Sequence, residues 1–466
     1  MVDRRRFIAQ SLALYAGTLL SESGVAETTA LEHGPNPVFR TKAETLKWYE
    51  NAKFGMMVCW GIYSSFGEGE WILLDDNSHF NNGTASGVDA YKENADKYLP
   101  TRASIRNLVS VARNAGAKYI NLVTRHHDGY SLWNTGADLY ASRYNTAVDG
   151  PRIDVVKGFA DECSRQGLQL VLYYSLLDWT NPAFPTTQAA SDDVLSVYQS
   201  NQGNLADYLA FMKAQLKELL THYGQIAAVW FDGYWAARNP AMWDIEDIYH
   251  TINVTQPATL IVNNKGLSSG SAVLPGEDFA VYERGQNPTV GSFGETIDTS
   301  QTDAQANAGT WGYDAHASIQ PVAWMLDSII TNISVGKNFV LNIGPMANGK
   351  LQSALIDNLA QVGRWMSENA EAIYDTQAGP VQYFPTSTSR TTASGREYVY
   401  LFVSDSSSGQ LQLGNYPHSI KRASLVMDPN CALAVLTSPS GDVTIQLPGS
   451  ASASAESPLV IKLQLG

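Results

Sequence analysis

Cysteine is scarce in this chain of 466 residues, which has only Cys59, Cys163 and Cys431. The three lie far apart, and an odd number of thiols cannot form a fully paired set, so the sequence excludes a fold held together by disulfide bonds. Cys163 falls on the apolar stripe of a predicted helix, where a small buried side chain is its expected role.

Basic residues are also few, with 31 Lys and Arg against 45 Asp and Glu, for a formal net charge of -14. A protein that binds nucleic acid must neutralise phosphates, and this charge does not suit that task. We therefore expect no nucleic-acid partner. A hydrophobic content of 44% over this length predicts a globular protein with a large core. No oligomeric state follows from the sequence.

The N-terminal stretch MVDRRRFIAQSLALYAGTLL joins a basic head to an apolar run that is too short for a permanent membrane anchor. Its RRRFI core, at residues 4 to 8, resembles the twin-arginine signature of bacterial export signals. An ordinary secretory signal is the alternative. In both cases residues 1–30 are a predicted signal peptide, cleaved near residues 26 to 32, and the mature protein is periplasmic or secreted.

Short apolar runs alternate with helical patterns through most of the chain. Near-continuous apolar strands are typical of a parallel sheet covered on both faces. The pattern predicts a (β/α)8 TIM barrel over residues 31–375, with one strand unlocated. A doubly wound open sheet is the alternative, although no glycine-rich phosphate fingerprint follows an early strand. The seven predicted strands are 54–60, 119–124, 168–175, 226–233, 260–264, 279–283 and 338–344.

After Glu371 the sequence pattern changes: polar and apolar residues alternate between turn signals, as in REYVYLFVSD and LVIKLQLG. Alternation with period two is typical of antiparallel strands that have one buried face. We therefore predict a C-terminal antiparallel β-sandwich domain over residues 376–466.

In a β/α barrel the loops at the carboxyl ends of the strands form the active site. Asp232 directly follows the apolar segment AAVWF, where a charged carboxylate needs hydrogen bonds or a function. Capping the next helix is the alternative role. A second carboxyl group with a raised pKa would make a glycosidase pair, and a separation of about 5 Å would give retention of configuration. Candidates on the same rim are Glu70, Glu283 and Glu295.

Several segments, in order from about residue 40 to 375, resemble the signature segments of glycoside hydrolase family 29, the α-L-fucosidases. They are KFGMMVCWGIYS, GEGEW, RHHDGYSLW, VLYYSLLDW, VWFDGYW, WGYD and FVLNIGPMANG. The resemblance implies a retaining α-L-fucosidase that acts on fucosylated oligosaccharides or glycoconjugates without a cofactor. It implies that Asp232 is the nucleophile, with a pocket lined by the sugar-binding side chains of Glu70, Trp71, His126, His127, Tyr174, Trp230 and Trp311.

The histidine pair admits four interpretations: a metal site, a general acid/base, a clamp for sugar hydroxyl groups, or structural histidines that face solvent. Neighbouring residues on a strand point to opposite sides, so both rings reach one ligand only if the strand breaks, which Asp128-Gly129 allows. A metal site needs further ligands at suitable spacing, and none are present in the sequence. The hydroxyl clamp is therefore favoured, with no metal ion.

Glu283 lies in GEDFAVYERGQNP, which is similar to the family segment that carries the proton donor in many members. Glu295, in FGETIDTS, resembles a second carboxylate segment and is the alternative acid/base. A salt bridge with Arg284 or a helix-start cap are further roles open to Glu283.

Two positions depart from the family pattern. Cys59 stands where a histidine usually precedes Trp-Gly, and a thiol is a weak hydrogen-bonding group. Lys265 lies where relatives often have arginine, and it lacks the planar guanidinium. Either change could favour a related L-sugar such as L-galactose. A sugar-binding protein without catalysis is the remaining alternative.

Overall fold

Eight parallel strands form the central sheet of this computed structural model, which confirms the predicted barrel. Their order is β5-β4-β3-β2-β1-β8-β7-β6, with every neighbouring pair parallel. The strand that the sequence did not locate is β7. The bounds are β1 Phe54–Val58, β2 Tyr119–Arg125, β3 Gln169–Ser175, β4 Ala228–Asp232, β5 Leu260–Asn263, β6 Ala280–Glu283, β7 Gly294–Thr299 and β8 Asn338–Ile343.

The structure describes residues 36–74, 80, 85–137, 144–184, 203–237, 239–266, 273–284, 286, 289–302, 310–449, 453–454 and 456–466. The predicted signal peptide, residues 1–30, lies outside the described residues. Within them, no helix has the length and apolar character that crossing a membrane requires.

Helices follow most strands and cover the outer face of the barrel. Local signals fix their ends. The N-terminus of the helix Arg102–Asn114 has a capping box in which Thr101 and Ser104 exchange hydrogen bonds. The helix Val155–Gln166 ends at Gly167, whose φ of 77° suits glycine. The α-helices are α1 Lys42–Ala52, α2 Ala85–Lys92, α3 Arg102–Asn114, α4 Val155–Gln166, α5 Leu205–His222, α6 Ile245–Thr255, α7 Val322–Ser334, α8 Ser353–Glu368 and α9 Ala370–Ile373. Short 3-10 helices span Ile62–Ser65, Ala95–Lys97, Tyr234–Ala236 and Pro240–Trp243.

The barrel has a seam between β5 and β6, which are the two ends of the strand order. Asp278 bridges it: its backbone N–H donates to the Ile261 carbonyl at 2.9 Å, and its Oδ2 accepts from the Ile261 N–H at 2.7 Å. The same Oδ2 pairs with the Lys42 ammonium at 2.8 Å. One aspartate therefore supplies, across this seam, part of the hydrogen bonding that a strand ladder supplies elsewhere.

Two antiparallel sheets follow the barrel and pack face to face, as predicted. Their shared core includes Leu401 and Ile461 from one sheet with Leu413 and Ile445 from the other. The larger sheet contains, in spatial order, Gln377–Ala378, Ser387–Thr391, Glu397–Val403, Leu459–Leu465, Ile420–Leu425 and Ala432–Leu433. The smaller contains Gln410–Leu413, Val443–Gln446 and Val435–Thr437, and a separate two-stranded sheet pairs Gln301–Thr302 with Ser318–Ile319.

Contacts join the C-terminal sheets to the last helices of the barrel. The Trp365 indole N–H donates to the Pro458 carbonyl at 2.8 Å, and the Thr388 hydroxyl donates to the Ala372 carbonyl at 2.6 Å. Residues 33–466 pack as one compact unit. The division into domains at residues 375 and 376 therefore stays a prediction.

Candidate active site

Asp232, the last residue of β4, is surrounded by hydrogen-bond donors. Its Oδ1 accepts from the Gly233 backbone N–H at 2.7 Å and from the Trp235 indole N–H at 3.0 Å. Its Oδ2 accepts from the Tyr173 hydroxyl at 2.7 Å, and His127 Nε2 lies 3.5 Å away. The side chain keeps 13% of its surface exposed. This carboxylate is therefore stabilised as an anion while still open to a ligand.

The alternative role of Asp232, a cap for the next helix, is not what the structure shows. The following 3-10 helix, Tyr234–Ala236, has Gly233 at its N-cap and no side-chain capping bond. The aspartate instead contacts side chains from β3, the loop after β4 and the segment after β5. A catalytic role for Asp232 stays a prediction that these contacts support.

Glu283 ends β6 and is the second carboxyl group at this rim. Burial is the largest cause that raises its pKa to about 6, and the nearby negative charge of Asp232 raises it further. A hydrogen bond from Asn264 and the charge of Arg284 act in the opposite direction. Glu283 can therefore hold a proton near neutral pH, as a general acid must.

Asn264 lies between the two carboxyl groups. Its Nδ2 is 3.3 Å from Asp232 Oδ1 and 3.0 Å from Glu283 Oε2. Asp232 Oδ1 and Glu283 Oε2 are therefore separated by no more than the sum of these two distances. This limit is shorter than the roughly 6.5 to 9.5 Å that separates carboxyl groups in inverting glycosidases. A separation below this limit is compatible with the roughly 5 to 5.5 Å of a retaining pair.

Both histidines reach the site, because the chain leaves β2 there. A register shift between Val123 and Arg125 interrupts the pairing of β2 with β3, and Gly129 turns the chain with a φ of 77°. The rings of His126 and His127 lie 4.2 Å apart. The chain thus leaves the strand pairing before the two histidines, and the sharing of one ligand by both rings stays a prediction.

Both imidazoles are kept neutral. Burial, and then the nearby positive charge of Arg125, lowers the pKa of His127 to about 3, and burial also holds the pKa of His126 well below its usual value. A neutral imidazole offers one donor and one acceptor, which suits a sugar hydroxyl. His127 Nδ1 lies 2.6 Å from the Ser175 hydroxyl oxygen, which orients the ring.

Glu70 and two tryptophans border the same space. Glu70 Oε2 accepts from the backbone N–H groups of Trp311 and Gly312 at 2.9 and 2.7 Å. The Trp311 ring lies under the Arg284 guanidinium at 4.3 Å. The Trp71 ring is 5.5 Å from the ring of His127. Glu70 thus ties the loop after β1 to the loop after β7, and Trp71 lies beside the histidine pair.

Tyr174 does not line the site, and the expectation that it does is wrong. Its hydroxyl donates to Gln215 on α5 at 2.8 Å, and its ring stacks on Arg125 at 4.4 Å, both on the outer side of β3. The preceding Tyr173 points inward, because side chains alternate along a strand. Tyr173 stacks on Trp230 at 5.4 Å, and the Trp230 indole N–H donates to Glu295 at 2.8 Å.

Glu295 lies at the other end of the barrel. It is fully buried near the start of β7, where Oε2 accepts from the hydroxyls of Tyr49 at 2.9 Å and Tyr119 at 3.0 Å, and Oε1 accepts from the Trp230 indole at 2.8 Å. The structure therefore does not bring Glu295 to the substrate side. Within the described part of the chain, Trp230 connects Glu295 to Tyr173, on which its ring stacks.

The two departures from the family pattern occupy different surroundings. Cys59 is buried, with its Sγ 3.3 Å from the Tyr63 hydroxyl. Lys265 forms a buried ion pair with Glu277 at 2.5 Å. Its ammonium is therefore committed to a protein carboxylate, and Asn264 rather than Lys265 contacts Asp232 and Glu283.

Among the residues that the structure describes, no group of three or more His, Cys, Asp and Glu side chains is arranged to hold a metal ion. The adjacent histidines contact aromatic rings, Ser175 and Asp232 instead. The site offers hydrogen bonds and aromatic faces.

Three contacts with Asp232 were missed from sequence, those of Tyr173, Trp235 and Asn264. For Tyr173 a usable signal existed, because counting back in steps of two from the strand end Ser175 selects it and not Tyr174. Trp235 lies within the segment VWFDGYW. Nothing in the sequence distinguishes the amide of Asn264 from that of Asn263.

A family model described as α-L-fucosidase matches residues 26–371. Among relatives, an α-L-fucosidase of Dictyostelium discoideum is 27% identical over 395 residues, which cover 76% of this chain and 77% of that protein. A plasma α-L-fucosidase of Homo sapiens is 27% identical over 403 residues, which cover 81% and 80% of the two chains. The match to the family model spans well over half of this chain.

Solved structures share the fold. α-L-fucosidase isoenzyme 1 from Paenibacillus thiaminolyticus matches with a TM-score of 0.77 and 24% identity, covering 91% of this chain and 99% of that one. A family 29 α-L-fucosidase of Bacteroides thetaiotaomicron, trapped as a covalent intermediate with 2-fluoro-fucosyl fluoride, matches with a TM-score of 0.72 and 20% identity, covering 94% and 99%.

Proposed function

This chain belongs to glycoside hydrolase family 29, the α-L-fucosidases, and we propose that it hydrolyses terminal α-L-fucosyl residues with retention of configuration. The carrying observation is the pair formed by Asp232 and Glu283, both within hydrogen-bond distance of Asn264 Nδ2. One carboxylate is surrounded by donors, and the other has a raised pKa. Two carboxyl groups with such different environments can act as nucleophile and acid.

In the first step Asp232 attacks the anomeric carbon while the bond to the leaving oxygen breaks. Oδ1 already accepts from Gly233, Trp235 and Asn264, so Oδ2, bordered by Tyr173 and His127, is the attacking oxygen. Glu283 gives its proton to the departing oxygen. The products are a covalent glycosyl ester on Asp232 and a free alcohol.

In the second step Glu283, now a carboxylate, takes a proton from water as that water attacks the anomeric carbon. The ester bond to Asp232 breaks, and the aspartate becomes an anion again. Two inversions at one carbon give net retention. His126 and His127 orient the sugar by accepting from and donating to its hydroxyl groups, while Trp71 provides an apolar wall.

Azide distinguishes the two carboxyl groups. With aryl α-L-fucoside as substrate, Asp232→Ala should lose nearly all turnover, and added azide should give the β-L-fucosyl azide, because azide then attacks the face that the nucleophile used. Glu283→Ala should instead give the α-L-fucosyl azide, formed from the covalent intermediate. Glu295→Gln is the matched control, and we expect it to keep the wild-type product and most activity. Full activity of Asp232→Ala would refute the assignment.

A second specificity is favoured by one observation, the thiol of Cys59 beside the Tyr63 hydroxyl in place of an imidazole. Its weaker hydrogen bonding alters the contact with one sugar hydroxyl. The comparison is kcat/KM for aryl α-L-fucoside against aryl α-L-galactoside, in the wild type and in Cys59→His. A preference for the galactoside that the variant reverses would assign the enzyme to L-galactosides.

A sugar-binding protein without catalysis would bind fucose and turn over neither glycoside. Trapping with a 2-fluoro-fucosyl fluoride and mass spectrometry of the digested protein tests this directly. A label on the peptide that contains Asp232 supports the hydrolase. Fucose binding by calorimetry without any label supports the binding protein.

Export is part of the proposal and is supported by the sequence MVDRRRFIAQSLALYAGTLL. Replacing Arg4, Arg5 and Arg6 by lysine should leave the activity in the cytoplasm of a bacterial host and remove it from the periplasmic fraction. An ordinary secretory signal would tolerate these substitutions, because it needs only positive charge.

A further inference from the structure

We infer that Asn264 is a positioning residue of this hydrolysis: its amide nitrogen donates one hydrogen to Asp232 and the other to Glu283, and so holds the two carboxyl groups in register for double displacement. The inference rests on the proposed function. The distances are 3.3 Å from Nδ2 to Asp232 Oδ1 and 3.0 Å to Glu283 Oε2. A primary amide has two hydrogens on one nitrogen, which is what two acceptors on opposite sides require.

The orientation of the amide is fixed by its other end. The Gly266 backbone N–H donates to Asn264 Oδ1 at 3.0 Å, so Oδ1 is the acceptor and Nδ2 must face the carboxyl groups. Gly266 has a φ of 74°, and a side chain there would begin 3.1 Å from the ring of Trp235. Glycine therefore allows the turn that presents the amide in the required direction.

Asn264 is also tied to the strand that carries the nucleophile. Its backbone N–H donates to the carbonyl of Phe231 at 2.8 Å, one residue before Asp232. The side chain is 6% exposed. The amide thus moves with β4 and reaches toward β6, which carries Glu283 on the other side of the barrel seam.

A neutral donor suits both steps of the reaction. In the first step Asp232 is the anion, and after the glycosyl ester forms Glu283 becomes the anion. An amide can stabilise each negative charge in turn without moving. A cation in this place would bind one carboxylate permanently, and the nearby cation of Lys265 is held away by its ion pair with Glu277.

The test compares Asn264→Ala and Asn264→Asp with Asn263→Ala, using aryl α-L-fucoside. Asn263 is the matched control, because its amide donates to the Tyr249 hydroxyl at 2.9 Å and not to a carboxylate. We expect Asn264→Ala to lower kcat by roughly 10- to 100-fold with little change in KM, since a hydrogen bond to a charged group is lost. Fluoro-sugar labelling gives the concentration of competent sites, and circular dichroism verifies folding.

The pH profile separates positioning from a merely structural role. The amide favours the charged form of Glu283, so its removal should move the alkaline limb of kcat/KM to higher pH, and the nearly isosteric Asn264→Asp should move it further by adding a negative charge. Asn263→Ala should keep the wild-type limb. A wild-type limb in both Asn264 variants would overturn the inference while leaving the hydrolase assignment intact. Absence of turnover by the wild type on every α-L-glycoside would instead overturn the proposed function.

Discussion

Adjacent tyrosines on β3 show how one position along a strand decides the role of a side chain. Tyr173 faces the barrel axis and donates to Asp232 at 2.7 Å, whereas Tyr174 faces α5 and donates to Gln215 at 2.8 Å. Both are buried and both make one strong hydrogen bond. Only the first contacts a group that would change charge during catalysis.

Removing each hydroxyl in turn tests this difference. Tyr173→Phe should lower kcat/KM for aryl α-L-fucoside by roughly 10- to 100-fold, because a hydrogen bond to a charged acceptor contributes about 1.5 to 3 kcal/mol. Tyr174→Phe should keep most activity and lower the free energy of unfolding by about 1 kcal/mol. Steady-state kinetics and urea unfolding of both variants provide the measurement. Equal losses of activity would contradict the assignment of Tyr173 to the site.

The protonation of Glu283 should control activity at neutral pH. As a general acid it must hold its proton, and its pKa is raised to about 6, so kcat/KM should fall as pH rises through that value. α-L-fucosyl fluoride, whose leaving group needs little protonation, should show a weaker decline in its first step. Indistinguishable limbs for the fluoride and an alkyl fucoside would argue against Glu283 as the acid.

The sequence identified the chemical groups at the carboxyl ends of the strands more reliably than it identified which of them contact each other. Asp232 and Glu283 are the last residues of their strands, and His127 follows one. The carboxyl ends of the strands lie at the same end of a barrel, which brings these residues together. The choice of Tyr174 came from the family resemblance, although the predicted strand end at Ser175 places Tyr173, and not Tyr174, on the same face as Ser175. The contact of Asn264 depends on a turn through Gly266 that no periodicity indicates.

At the scale of elements, a buried ion pair holds together the loops that follow β2 and β3. Arg125 is fully buried, pairs with Asp178 at 3.1 Å, and donates to the Ser175 carbonyl at 2.7 Å. Next to Asp178, the Trp179 N–H donates to the His127 carbonyl at 2.7 Å. These bonds tie the histidine pair to the segment after β3 that carries Asp178 and Trp179.

Breaking this pair should destabilise the fold strongly. Arg125→Met leaves the Asp178 carboxylate buried without its cation, and we expect a loss of about 3 to 5 kcal/mol of unfolding free energy. Adding Asp178→Asn to the Arg125→Met variant should restore part of the lost unfolding free energy. The control is Arg106→Met, which removes an exposed partner of Glu162 and should cost no more than about 1 kcal/mol. Urea unfolding measures all three, and similar losses for the two arginines would contradict the role of burial.

The one barrel strand missed from sequence has a composition unlike the other seven. The segment GETIDT of β7 contains a fully buried glutamate and two threonines, Thr296 and Thr299, that are also buried. A search for apolar runs cannot find a strand that has buried polar residues on both faces, hydrogen-bonded to distant tyrosines and asparagines. Tertiary hydrogen bonds, such as Thr296 to Asn332 at 2.5 Å, take the place of apolar packing there.

At the scale of the whole molecule, Glu295 links stability to pH. Burial raises its pKa from 4.5 to about 7, so the folded protein binds this proton more tightly than the unfolded chain does. The stabilisation from this group is full below pH 4.5 and is lost as pH rises through about 7. The folded protein is thus more stable when the Glu295 carboxyl group, at the end of the barrel away from the substrate, is neutral.

Glu295→Gln should remove this dependence. We expect the unfolding free energy of the wild type, relative to this variant, to decline between pH 4.5 and 7.5 by an amount on the order of 3 kcal/mol. Glutamine can still accept from the Trp230 indole and donate to a tyrosine hydroxyl. Urea unfolding at several pH values measures the difference. Parallel stability profiles would show that the carboxyl group has the same proton affinity in both states.

The bridge that Asp278 makes between β5 and β6 has a consequence for the geometry of the site. Asp232 ends β4, which pairs with β3 and β5. Glu283 ends β6, which lies at one end of the strand order and pairs with β7. Asp278 therefore holds β6, and with it Glu283, to β5 where the strand ladder is interrupted. The relative position of the two carboxyl groups thus depends on this one side chain as well as on strand pairing.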